Sequence, residues 1–235
     1  LSGLAGAAVT EIDMTAWEGI HPAIGALDVC PVVWLSDERR EKAAEVAREV
    51  GEAIGLMGVP VFLYGELATD HDRRERAYFR AGGLDSLWHR MTSGSLAPDF
   101  GPDRPHPTAG ATLVTARAPL AAFNLELATD DIRIAREIAA AIRESPDEGI
   151  PGVRALGLAL STGRAQVSTN VHDPIATPLC EVVAAVQEEA ALRGTAVVEA
   201  ELIGLIPEAA MEDYPEDVPI RDFDPTFHVI ERRLK

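Results

Sequence analysis

Residues 26–65 read ALDVCPVVWLSDERREKAAEVAREVGEAIGLMGVPVFLYG, and the order of patterns in this stretch decides the fold class. Ala26 to Leu35 is apolar and rich in β-branched side chains, which suits a buried strand. Ser36 and Asp37 supply a helix start. Ala43, Val46, Ala47, Val50 and Ile54 then recur at helical spacing, while Glu41, Lys42, Glu45, Arg48, Glu49 and Glu52 take the other face. Gly55 to Gly58 ends the helix, and Val59 to Tyr64 is a second short strand. Strand, loop, helix and strand return in the same order in residues 165–206. Parallel pairing of the two strands through a crossover helix is the expected outcome of each unit. The reading is an α/β (α+β) protein of two small subdomains, each a mixed sheet covered by helices, with a ligand cleft between them.

Outward from that stretch, residues 1–12 predict a helix packed through Gly and Ala, and residues 68–90 an arginine-rich, partly helical section stopped at Arg80-Ala81-Gly82-Gly83. A new α/β set starts near Ala111, so the subdomains are expected at 1–116 and 117–235. Strands are predicted at 111–115, 120–127, 153–160, 165–170 and 196–206, with helices over 130–143 and after Thr177-Pro178. The last 25 or so residues, rich in Asp, Glu and Pro, predict a loosely held tail.

A formal charge of −17 over 235 residues excludes a sequence-independent nucleic-acid binder, which needs a basic face, and equally an anionic membrane surface. An acidic ligand would need a local basic pocket in an acidic exterior. Cys30 and Cys180 are far apart and suggest neither a disulfide framework nor a zinc site. No apolar run reaches membrane-spanning length, so the expected setting is the cytoplasm, with reduced thiols.

Two stretches carry unusual chemistry. Gly19-Ile20-His21-Pro22 through Asp28-Val29-Cys30-Pro31 places a histidine and a carboxylate seven residues apart, between glycines and prolines that hold one backbone shape. His21 there is a candidate proton carrier, or a histidine that satisfies a loop carbonyl. Residues 97–110 hold four prolines, so they form a long stiff loop that is either functional or a linker. Tyr64-Gly65-Glu66 closes a strand, and Gln166-Val167-Ser168-Thr169-Asn170 loads another strand with amides and hydroxyls. Asp28, Tyr64, Glu66, Gln166, Thr169 and Asn170 are therefore candidates for a small-molecule cleft at strand ends. Phosphate-loop, dinucleotide, zinc-protease and esterase motifs are absent, and the six histidines do not pair at metal-ligand spacings, so no metal is expected.

Six of these segments together resemble one family. Gly19-x-His21-Pro22-x-x-Gly25-Ala26-Leu27-Asp28-Val29-Cys30-Pro31, Val61-Phe62-Leu63-Tyr64-Gly65-Glu66, Arg80-Ala81-Gly82, Pro98-Asp99-Phe100-Gly101-Pro102, Gly110-Ala111-Thr112 with Ala122-Phe123-Asn124, and Ala165 to Asn170 are similar to the formiminotransferase domain. The resemblance implies two α/β subdomains with a folate cleft between them, and a homodimer. It implies transfer of the formimino group from N-formiminoglutamate to N5 of tetrahydrofolate in histidine breakdown, with His21 as acid/base and tetrahydrofolate as co-substrate. The family's folate-contacting loop falls on Gly101, Pro102, Asp103, Arg104, Pro105, His106, Pro107, Thr108, Ala109 and Gly110. Two neighbours of His21 depart from the family pattern, Ile20 for a frequent glutamate and Ala23 for a frequent basic residue. The family domain also ordinarily starts about sixty residues earlier, with strands whose absence would leave the first sheet with unpaired edges. No cyclodeaminase half follows, so one activity is expected. Two other readings stay open: a non-catalytic folate-binding or scaffold relative, and a family member acting on 5-formyltetrahydrofolate.

Overall fold

The computed structural model describes residues 2–234. The chain divides into two compact units, Leu1–Ala118 and Pro119–Lys235, each with its own sheet. The first unit runs α1 (Ser2–Glu11), β1 (Val29–Val33), α2 (Arg40–Gly55), β2 (Val61–Leu63), α3 (Arg76–Arg80), α4 (Gly83–Thr92) and β3 (Thr112–Arg117). Strand alternation gives this sheet two buried faces. Val61, Leu63, Val114 and Ala116 pack with Ala43, Ala47 and Ile54 of α2. On the other face Phe62, Tyr64 and Leu113 meet Phe79, Leu87 and Met91 from α3 and α4.

The strand order is β1-β3-β2, with every pair parallel. Direct pairing of the two strands joined by α2 was expected, and this corrects it: β3 lies between them. Residues 112–116 are buried on both faces, and a strand so enclosed must satisfy its backbone groups on both edges. β3 therefore takes the centre. The outer edge of β2 is covered by the loop at Asp99 and Phe100, through the Val61–Phe100 bridge. Beside β1 lies an apolar recess lined by Leu4, Ala5, Leu27, Val29, Pro31 and Ile54 among others, with no further strand on that edge among the described residues. Pro31, which offers no N–H, suits such an edge.

The second unit runs β4 (Ala121–Leu127), α5 (Ile132–Ile142), β5 (Val153–Ala159), β6 (Ala165–Val171), α6 (Leu179–Leu192) and β7 (Val197–Ile203), followed by the short helices α7 (Pro225–His228) and α8 (Ile230–Arg233). Its order is β5-β6-β4-β7, antiparallel throughout. A βαββαβ chain in that order is the ferredoxin-like arrangement. Here too the strands joined by a helix, β6 and β7, flank a third strand, β4, so the second expected direct pairing is also corrected. The α/β class and the two subdomains hold, with one sheet parallel and the other antiparallel.

Helices α5 and α6 cover one face of the second sheet, where Phe123, Leu125, Val167, Val171, Val153 and Leu202 bury against Ile138, Ile142, Val182 and Val186. α5 approaches β5 so closely that a Cβ on Gly157 would lie 2.3 Å from the Arg136 nitrogen. The acidic tail is not loose. Ala200 accepts the Arg221 N–H and donates to the Pro219 carbonyl at 2.8 Å each, while Ile206 bridges Val229 and Val218 is buried.

Candidate active site

Two loops of the first unit, eighty-odd residues apart in sequence, are joined at a pair of glycines. Gly25 and Gly110 form an antiparallel bridge, flanked by Ala26 N–H to Ala109 O and Ala111 N–H to Ile24 O, both 2.9 Å. A Cβ on Gly25 would lie 1.8 Å from the Ala111 carbonyl oxygen. One on Gly110, whose φ is +69°, would lie 2.2 Å from that of Ile24. Only glycine at both positions allows this approach. The bridge sets the His21 segment beside residues 101–110.

Asp28 fixes the first of these loops from within. One carboxylate oxygen accepts the Ile24 N–H at 2.7 Å, and the other takes the guanidinium of Arg80. Both side chains are about one-fifth exposed, 19% for Asp28 and 20% for Arg80, so this is a shielded, charge-assisted pair. With both oxygens occupied, Asp28 holds the shape of the turn that presents His21. His21 itself is exposed, as are Trp17 and Ile20 beside it. Gly19 lies against the Trp17 indole, where a Cβ would come within 2.0 Å of the ring.

The proline-rich loop is anchored at both ends. At its start, Asp99 accepts the Leu63 N–H at 2.7 Å and an Arg73 N–H at 2.6 Å. Arg73 is itself seated 5.7 Å from the ring centres of Phe62 and Phe79. At its end, His106 and Gly110 exchange two backbone hydrogen bonds of 2.8 and 3.0 Å. The His106 ring completes the turn, with Nδ1 accepting the Ala109 N–H at 3.0 Å and the Thr108 N–H at 3.3 Å. That bonding places the ring proton on Nε2. Pro105, Ala109 and Gly110 are buried, while Gly101, Asp103, Arg104 and Pro107 are exposed. The loop is a rigid backbone frame with Arg104 on its outside.

Tyr64 follows β2 and is buried at the carboxyl end of the parallel sheet. Thr115 donates to its carbonyl oxygen at 2.7 Å. Burial pushes the Tyr64 phenol up, partly offset by the nearby positive charges of Arg76, Arg117 and Arg80. Burial likewise pulls Arg117 down, with Arg76 adding repulsion.

Residues 1–117 match the family described as the formiminotransferase domain, N-terminal subdomain, and residues 122–216 match the formiminotransferase domain. The chain belongs to the formiminotransferase family. It is 38% identical over 226 residues to the glutamate formimidoyltransferase of Streptococcus pyogenes serotype M1, covering 95% of this chain and 75% of that protein. Over 234 residues it is 36% identical to the glutamate formimidoyltransferase of Thermoplasma acidophilum, covering 97% and 76%. The formimidoyltransferase-cyclodeaminase of Gallus gallus is 38% identical over 212 residues, which is 87% of this chain and 39% of that longer protein.

Within this formiminotransferase fold the remaining candidate residues separate. Glu66 is on an exposed turn, paired with Arg40 at 3.0 Å. In the second unit Gln166 is buried on the sheet face away from the helices, its Oε1 without a hydrogen-bond partner among the described residues. Asn170, two strand positions on by twos, shares that face with Gln166. Thr169 does not. It lies on the helix-covered face, buried, with its hydroxyl donated to the Phe123 carbonyl oxygen at 2.5 Å. Asn124 and Glu201 join on the polar face at 2.9 Å.

Sequence reasoning quoted Arg80 within a family segment without giving it a role, and missed Arg76 and Arg117. The signal was an arginine-rich segment in a chain of net charge −17, where a cluster of cations needs a reason. Among the described residues no group of three His, Cys, Asp or Glu side chains gathers as a metal site, and no helix is long and apolar enough to cross a membrane.

Proposed function

We propose that this chain transfers the formimino group of N-formimino-L-glutamate to N5 of tetrahydrofolate, a late step of histidine breakdown, with His21 as the acid/base. The observation that carries the reading is the Gly25–Gly110 bridge, which sets the His21 turn beside the rigid loop 101–110. The loop's backbone groups and Arg104 would hold the folate, and the turn would bring the imidazole to the reacting atoms.

The chemistry suits one imidazole. N5 attacks the formimino carbon and must lose a proton; the bond from that carbon to the glutamate nitrogen then breaks, and the departing amine must gain one. His21 takes the first proton and returns it to the leaving nitrogen, so the histidine ends as it began. No metal is required by this balance. Family membership and the relatives named as glutamate formimidoyltransferases support the transferase class. The working form is proposed as a cytosolic homodimer, a setting consistent with the two free cysteines.

The test is to supply purified protein with N-formiminoglutamate and tetrahydrofolate and to look for 5-formiminotetrahydrofolate. His21→Ala is expected to lose roughly 10²–10⁴-fold in turnover, the usual worth of a general acid/base, with folate affinity kept. Tight folate binding by the parent without product would sink the proposal, and product from 5-formyltetrahydrofolate alone would reassign the donor.

A further inference from the structure

We infer that Arg76, Arg117 and the hydroxyl of Tyr64 form a binding site for a glutamyl carboxylate at the carboxyl ends of β2 and β3. The identity of that carboxylate rests on the proposed reaction, since both of its substrates carry glutamate. The place comes from topology. Leu63 and Val114 pair in register, the Tyr64 N–H continues the ladder to Val114 O at 3.1 Å, and Arg117 ends the central strand. Open parallel sheets bind ligands just beyond such strand ends.

Charge supplies the second argument. Arg76 and Arg80 are four residues apart on α3, hence on one face of the helix, and both act on Tyr64. Arg80 is spoken for by Asp28. Arg76 and Arg117 are half-buried, close enough to repel one another, and absent from every ion pair formed among the described residues. Arg117 donates one guanidinium N–H to the Ala118 carbonyl at 2.9 Å, which leaves most of its donors open. Two partly desolvated cations without a counter-ion cost stability in a protein that has 38 acidic residues to spare. A fork of guanidinium donors is what a carboxylate takes in bidentate fashion. The Tyr64 hydroxyl, which makes no hydrogen bond to another described side chain, adds a neutral donor.

The experiment measures binding without turnover, by thermal shift and calorimetry, on the parent, R76Q and R117Q. L-Glutamate is expected to raise the melting temperature of the parent and to bind about tenfold or more weakly to either variant, as loss of a charge-assisted pair dictates. Without ligand, R117Q is expected to melt at or above the parent temperature, because an uncompensated cation has been removed. Tetrahydrofolate with one and with three glutamates, and N-formiminoglutamate, form the further arms. A loss confined to N-formiminoglutamate assigns the site to the donor, and a loss confined to the folates assigns it to the tail. The inference is overturned if affinities for all four probes stay within about twofold of the parent. It is equally overturned if R117Q melts lower while its glutamate response is unchanged, which would mark a structural arginine. A parent that binds glutamate through these arginines and makes no 5-formiminotetrahydrofolate would refute the transferase reading and leave the site standing.

Discussion

Gly25 has no room for a methyl group, because the Ala111 carbonyl oxygen occupies the place at 1.8 Å. Gly25→Ala must therefore push the two loops apart. The expected cost is roughly 3 kcal/mol, the upper end of overpacking, read as a lower denaturant midpoint at unchanged slope. Product formation should fall further than stability alone accounts for, since the His21 turn and loop 101–110 separate. At this scale the sequence was partly legible. His21, Asp28 and the glycines drew attention through residue type. The bond from Asp28 to Arg80 spans fifty-two positions, and no local pattern reports it. The face on which Thr169 lies was legible, because strand residues alternate and Val167, Thr169 and Val171 share one parity while Gln166 and Asn170 share the other.

At the scale of elements, Arg221 holds the helix-free face of the second sheet together. It bonds Glu126, buried on β4, and Glu199 on β7, with Arg164 3.6 Å from Glu126 as the only other cation there among the described residues. Arg221→Gln leaves Glu126 poorly compensated, and the expected loss is about 2–4 kcal/mol. The pH dependence has a definite sign. Hydrogen bonds from Arg221 hold the Glu199 carboxyl below its ordinary value, against the opposing effect of burial. Its folded value lies below its unfolded one, so its contribution is full above the ordinary carboxylate range and disappears as pH falls through the lowered value. The part of the melting-temperature difference that Glu199 carries should thus fade as pH is brought below about 4, so the gap between parent and variant narrows. Which strand, helix and strand followed one another was legible from periodicity. That a third strand enters between the two was not, because insertion is decided by pairing across the sheet rather than along the chain.

On the scale of the whole molecule, each unit buries its own apolar residues around its own sheet, and the ferredoxin-like half has helices on one face and a complete antiparallel ladder. Residues 119–235 expressed alone are expected to fold, with a cooperative thermal transition and a far-ultraviolet spectrum of mixed helix and strand. A broad, non-cooperative melt would refute this. The central position of β3 also bears on how the protein is made. β1 has no backbone partner until Thr112–Arg117 has left the ribosome, and β2 has only its contact with Asp99 and Phe100 before then, because the pairing within the sheet is parallel and no hairpin can serve. At ordinary elongation rates the stretch from Tyr64 to Arg117 takes roughly 3–10 s to synthesise. For that interval Val29–Val33 travels as a bare apolar strand and Val61–Leu63 is held on one edge at most, so the nascent chain is a natural client for holdase chaperones until β3 emerges and closes the sheet.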